Sequence, residues 1–146
     1  QYDTHIIKAD ITRSIYVEKD NIAIDGKGHF LKGTNTTDAV NIVATNVTVK
    51  NLHITNWGNG ILCTHNNNTI TNNTIVECTY GIKTYSNYNL ITQNTFTNVS
   101  EGIHLSGKNN FITNNDIFSH RYGILIYGHS DFDQNVIIEN NIVNSE

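Results

Sequence analysis

The sequence predicts an all-β solenoid of short parallel strands, wound in about six coils of 21 residues. Three observations predict it. Gly60, Gly81, Gly102 and Gly123 recur at intervals of 21, and each is followed by isoleucine. Ile70, Ile91 and Ile112 stand ten residues after the first three glycines, and Ile75, Phe96 and Ile117 stand fifteen after them. Polar residues separate these apolar positions, as the two-residue period of a strand requires, and Val, Ile, Thr and Asn dominate where a helical repeat would need Ala, Leu and Glu. Three strands per period give a three-sided parallel β-helix. A leucine-rich repeat has a similar period but needs Leu at fixed places, and Leu is scarce here.

The whole chain, 1–146, is one domain by length. Residues 1–14 form a lead-in strand or cap with Ile6, Ile7 and Ile11. Residues 15–38 form a first, irregular coil, in which alternating Ile22 and Ile24 mark a strand and Asp25-Gly26 a turn. Regular coils occupy 39–146, with Ala39 in the place of the glycine. The predicted inward columns are Val40, Ile61, Ile82, Ile103, Ile124; then Val49, Ile70, Ile91, Ile112, Ile137; then Ile54, Ile75, Phe96, Ile117, Ile142. The second half of the last unit runs four residues late, which places an insertion at 128–134. Asn73, Asn94, Asn115 and Asn140 fill one further column before the third strand. They are expected to be a structural ladder, because stacked amides bond coil to coil and asparagine tolerates left-handed backbone angles.

Composition excludes several classes. A net charge of −4 gives no broad attraction to nucleic acid. No apolar run approaches membrane-spanning length, and residues 1–10 do not form a signal peptide. Asparagine is frequent, at 24 of 146, but the regular isoleucine spacing separates this chain from a disordered polar tract. The absence of methionine points to a processed chain or a piece of a longer one. Cys63 and Cys78 are too few for a disulfide scaffold, and both buried thiols and a bridge across one coil stay open.

Ile24-Asp25-Gly26-Lys27-Gly28-His29, followed by repeats of the type Gly-Ile and Asn-Asn-Thr-Ile, resembles the right-handed parallel β-helix superfamily over roughly residues 15–146. That group includes pectin lyase-like folds and the NosD-like, carbohydrate-associated repeats of surface proteins. The resemblance implies the fold and an extracellular or cell-surface setting. It does not select an activity, since the fold hosts lyases, hydrolases, epimerases and structural proteins.

Catalytic patterns are incomplete. The paired-Asp, Gly-His-Gly and Arg-Ile-Lys motifs of polygalacturonase-like members are absent, and Arg13 and Arg121 are the only arginines available for lyase-like chemistry. The catalytic candidates are Asp131, Asp133 and His129, in the inserted loop, where a departure from the repeat is a place for function. The seven histidines fall in different columns, so no metal and no cofactor is expected. The Thr71, Thr92, Thr113 column resembles an ice-binding array, but its neighbours Thr69, Leu90 and Phe111 break the grid.

The surface that draws attention is the first strand with its flanking turns. Tyr80 and Tyr122 share a column two coils apart, as do Tyr85 and Tyr127, with Glu101 and His104 on the coil between and Lys83 and Arg121 nearby. Tyrosine offers a flat apolar face and a polar tip, which suits glycans. Two functions follow as expectations. The first is a structural module that assembles end to end with copies of itself, or with neighbouring coils of a longer chain, through uncapped terminal coils. The second is a carbohydrate-binding module or polysaccharide-active enzyme, with polysaccharide as partner.

Overall fold

The computed structural model describes residues 3–128, 137–139 and 141–145. Every described regular element is a strand, and every strand pairing is parallel. One coil shows the plan: Asn59–Cys63, a corner, Thr69–Thr71, a corner, Thr74–Val76, and a third corner. Each strand of this coil pairs with its equivalent 21 residues away, as in Ile61 with Ile82, Ile70 with Ile91, and Ile75 with Phe96. The second-strand stack is the longest single file, running from Asp3–Ile6 through Ile22–Asp25 and Thr48–Lys50 to Phe111–Thr113 and Ile137–Glu139. In the last coils the third and first strands fuse across the third corner into Thr95–Leu105 and Asp116–Ile126, with two register shifts between Phe96 and Glu101.

The alternation of the sequence becomes burial. In Thr69–Thr71, Leu90–Thr92 and Thr74–Val76 the central residue is buried and its neighbours are half-exposed. Ile61, Ile82 and Ile103, Ile70, Ile91 and Ile112, and Ile54, Ile75 and Phe96 fill the interior. The repeated glycine has a steric cause. A Cβ on Gly60 would sit 2.8 Å from Ile75 Cγ2, and the same intrusion meets Phe96 at Gly81 and Ile117 at Gly102. The third strand of each coil packs where that side chain would be.

All three corners follow one rule: a left-handed residue, then a residue turned inward. The first corner uses Asn46, Asn67, Tyr88 and Asn109, followed by buried Val47, Asn68, Asn89 and Asn110. The second uses Asn51, Asn72, Gln93 and Asn114, followed by Leu52, Asn73, Asn94 and Asn115. The third uses Asn35, Asn56, Glu77 and Asn98, and the last three are followed by Trp57, Cys78 and Val99. Asparagine tolerates this conformation better than other side chains do, and ten asparagines among the described residues, of the chain's 24, have positive φ.

The second-corner ladder is hydrogen-bonded as the spacing predicts through Asn73, Asn94 and Asn115. Asn94 Oδ1 accepts from the backbone and side-chain nitrogens of Asn73, each at 3.0 Å. The next rung is Asn141, whose Oδ1 accepts from Asn115 N and Nδ2 at 2.9 Å; Asn140 lies outside the described residues. The register of the last coil is thus corrected by one. Ile112 pairs with Ile138 rather than Ile137, and Ile117 with Val143 rather than Ile142. Asn115 and Asn141 are 26 residues apart, so the last coil carries five extra residues, not four. A second ladder, absent from the expectations, occupies the first corner. Asn68 Oδ1 accepts from Val47 N at 2.8 Å, Asn89 Oδ1 from Asn68 N at 2.9 Å, and Asn110 Oδ1 from Asn89 N at 2.9 Å.

Candidate functional site

The outward positions of the first strands line up into columns that cross the coils. Asp38, Asn59, Tyr80, Glu101 and Tyr122 form one column of Cα partners. Asn41, Leu62, Lys83, His104 and Leu125 form the next. Tyr85 and Tyr127 follow the strand ends in equivalent places, their amides donating to Cys63 O and Leu105 O. The parallel stacking therefore gathers all six residues singled out for glycan contact onto one face: Tyr80, Tyr85, Glu101, His104, Tyr122 and Tyr127. Coils rise about 4.8 Å each, so Tyr80 and Tyr122 are about 10 Å apart with Glu101 between them.

Glu101 is the centre of this face. It is 4% exposed, yet ionisable. A buried carboxylate is costly unless it is paired, and among the described residues it has two side-chain partners. Oε2 lies 2.8 Å from His104 Nδ1, and Oε1 lies 3.6 Å from Arg121 Nη1. With Nδ1–H donated to the carboxylate, His104 keeps Nε2 for another partner. The imidazole is also fixed from two sides. Tyr80 meets it edge-on at 5.6 Å between centroids, and Tyr127 stacks on it at 6.2 Å with 19° between planes. Cations cover the outer rings: Lys83 Nζ is 4.1 Å from the Tyr80 centroid and 5.6 Å from that of Tyr85, and Arg121 lies 5.0 Å over Tyr122. The result is a surface of rings interrupted by hydrogen-bonding groups.

His129, Asp131 and Asp133 lie outside the described residues. Asp38 is the other carboxylate in the Glu101 column, three coils away, which is about 14 Å and beyond the roughly 5–9.5 Å span of glycosidase carboxylate pairs. Among the described residues, no group of three or more His, Cys, Asp or Glu is placed to hold a metal. Cys63 and Cys78 are buried free thiols, and burial pushes the Cys78 thiol up to about 11.

A sequence profile described as the right handed beta helix region matches residues 4–145. The chain belongs to the right-handed β-helix family. No curated protein and no solved structure is significantly similar to it. Within this β-helix, no described helix is long and apolar enough to cross a membrane.

Two features of the β-helix near the site escaped sequence reasoning. The first is the direct Glu101–His104 bond, for which the three-residue spacing across one strand was the available signal. The second lies farther along the same column. Asp38 accepts from Asn59 Nδ2 at 2.6 Å and from Asn41 Nδ2 at 3.2 Å. The face thus continues as a polar strip of acid and amides toward the N-terminal coils.

Proposed function

We propose that this β-helix is an extracellular structural module that binds a carbohydrate chain on the face built by Tyr80, Glu101, His104, Tyr122 and Tyr127. The observation that carries this reading is the Glu101–His104 pair held between the rings of Tyr80 and Tyr127. Sugar rings present apolar C–H faces and a rim of hydroxyls, and the site supplies matching aromatic planes with fixed donors and acceptors. The column geometry favours binding over bond cleavage, because among the described residues Glu101 has no second carboxylate in its column at hydrolytic spacing. The extracellular setting follows from the ligand class and from the resemblance to surface-protein repeats.

A glycan array tests the reading. Wild type should give signal that falls at least about tenfold in Tyr80→Ala and in Tyr127→Ala, the loss expected when a stacking ring is removed. Circular dichroism should show both variants folded. Signal that survives both substitutions rules this face out.

A second reading has its own observation. Ile138, Ile142 and Val143, in the strands of the last coil, are 43%, 62% and 46% exposed. Apolar side chains beside a strand edge that no described strand pairs favour cover by another β-coil, either a second copy of this chain or further coils of a longer one. Sedimentation across a concentration series tests the first of these. Association should be lost in Ile138→Pro and Val143→Lys, and a wild type that stays monomeric throughout removes self-assembly.

A further inference from the structure

The first corner turns through one left-handed residue per coil, at Asn46, Asn67, Tyr88 and Asn109, with φ of 56°, 61°, 58° and 53°. Asparagine suits that backbone, whereas a bulky side chain there is an outlier that carries strain. Gln93 and Glu77 make comparable departures at the other corners with flexible polar side chains. Among the described left-handed residues, Tyr88 is the one that brings an aromatic ring.

Packing does not account for the ring. Ser86 and Asn89, on either side of the turn, point inward and are 3% and 1% exposed, while Tyr88 is 58% exposed. Tyr85, three residues earlier at the same corner, is 52% exposed. The corner therefore projects two solvent-exposed rings, Tyr85 with Lys83 Nζ 5.6 Å from its centroid and Tyr88, beside the end of the candidate face where Tyr127 stacks on His104.

We propose that Tyr88 is a carbohydrate-contacting residue that carries the aromatic face of the first strand around the first corner. This inference rests on the carbohydrate-binding reading of that face. A strained backbone persists where the surrounding structure fixes it, and such positions concentrate at ligand sites. Here the asparagine that the corner favours is replaced by a side chain whose exposed plane offers a sugar a stacking surface.

The test separates fold from binding. The probes are cellohexaose, chitohexaose and hexa-galacturonate, measured by calorimetry against wild type, Tyr88→Asn, Tyr88→Phe and Tyr80→Ala. Tyr88→Asn should raise the ligand-free melting temperature by about 3 °C, by relieving strain, and weaken binding of the recognised probe by about tenfold. Tyr88→Phe should keep wild-type stability and most of the affinity. Wild-type affinity in Tyr88→Asn, alongside a loss in Tyr80→Ala, overturns the inference and leaves the face standing. A fall in melting temperature in Tyr88→Asn overturns it too, by showing that the ring packs. No binding of any probe by wild type overturns the carbohydrate reading and this inference with it.

Discussion

Asn94 and Asn115 are joined twice: Asn115 Oδ1 accepts Asn94 Nδ2–H at 3.1 Å and the Asn94 backbone N–H at 3.0 Å. Asn94 passes the same pair of bonds on, its own Oδ1 accepting from both nitrogens of Asn73. Its Nδ2 also donates to Ile70 O at 2.9 Å. Asn94→Leu keeps roughly the volume but takes the acceptor from the buried Asn73 backbone N–H and a donor from Ile70 O, while Asn73 Nδ2 keeps Val49 O and Asn115 Oδ1 keeps the backbone N–H of residue 94. The expected loss is about 3 kcal/mol in urea unfolding, since each orphaned buried group costs about 1–3 kcal/mol. A loss below about 0.5 kcal/mol, the scatter of surface substitutions, would show that the ladder is decorative.

Gly102→Ala should destabilise by about 1–3 kcal/mol, the usual cost of overpacking. The new methyl would point at Ile117 Cγ2 and at the carbonyl of Gly123. Gly128→Ala is the control, because none of the described residues comes within 4 Å of its Cβ position. It should shift the midpoint negligibly. Equal effects for the two would mean that the glycine column is set by something other than the third-strand side chains.

Adjacent residues on one strand should respond very differently. Ile91 is fully buried and Thr92 half-exposed. Ile91→Ala removes core volume and should cost about 2–5 kcal/mol, whereas Thr92→Ala should cost about 0.5 kcal/mol or less. Chemical denaturation of both settles which face is inward.

Asp25 gives the acid limb of stability. It is 4% exposed. Burial alone would raise its pKa, but bonds from Asn51 Nδ2 at 2.8 Å and Lys27 N at 3.0 Å, with the Lys27 ammonium at 3.4 Å, hold it below its ordinary 3.8. A carboxyl depressed in the fold contributes stability that is complete above its unfolded pKa. That contribution is lost as pH falls through the lower folded value. Melting temperature should therefore decline below about pH 4, and the decline should be shallower in Asp25→Asn. Identical acid limbs would remove Asp25 from the account.

The repeat was legible because identical surroundings demand identical residues. Ile61, Ile82 and Ile103 face the same interior, so their spacing alone placed them. The last coil was not legible to the residue. Ile137-Ile138 and Asn140-Asn141 are doublets, and either member of each fits a column when the insertion length is free. Only the pairing of Ile112 with Ile138 and of Asn115 with Asn141 chooses. The second ladder was hidden because Asn68 ends a run of three asparagines and its column begins with Val47.

The candidate face was partly legible. The tyrosine columns follow from counting, but the Glu101–His104 bond requires knowing that both side chains lean toward each other. The five glycosylation sequons, at Asn35, Asn46, Asn67, Asn72 and Asn98, have a structural explanation that counting could not supply. All five asparagines are left-handed corner residues, each followed two positions on by Thr or Ser. The left-handed corner supplies the asparagine of each motif, whereas Asn51, Asn56, Asn109 and Asn114 occupy such corners without Thr or Ser two positions on.

The constant pairing across coils has a consequence for how such a protein changes size. Tyr80–Thr84 meets its neighbours on both sides through the same register, at Asn59–Cys63 before it and at Glu101 to Leu105 after it. Excising residues 81–101 would join Tyr80 to Gly102 and leave every remaining column in step. Excising one residue fewer would put each later isoleucine on the wrong side of its strand. Length in this molecule is therefore quantised: it grows or shrinks by whole coils of about 4.8 Å.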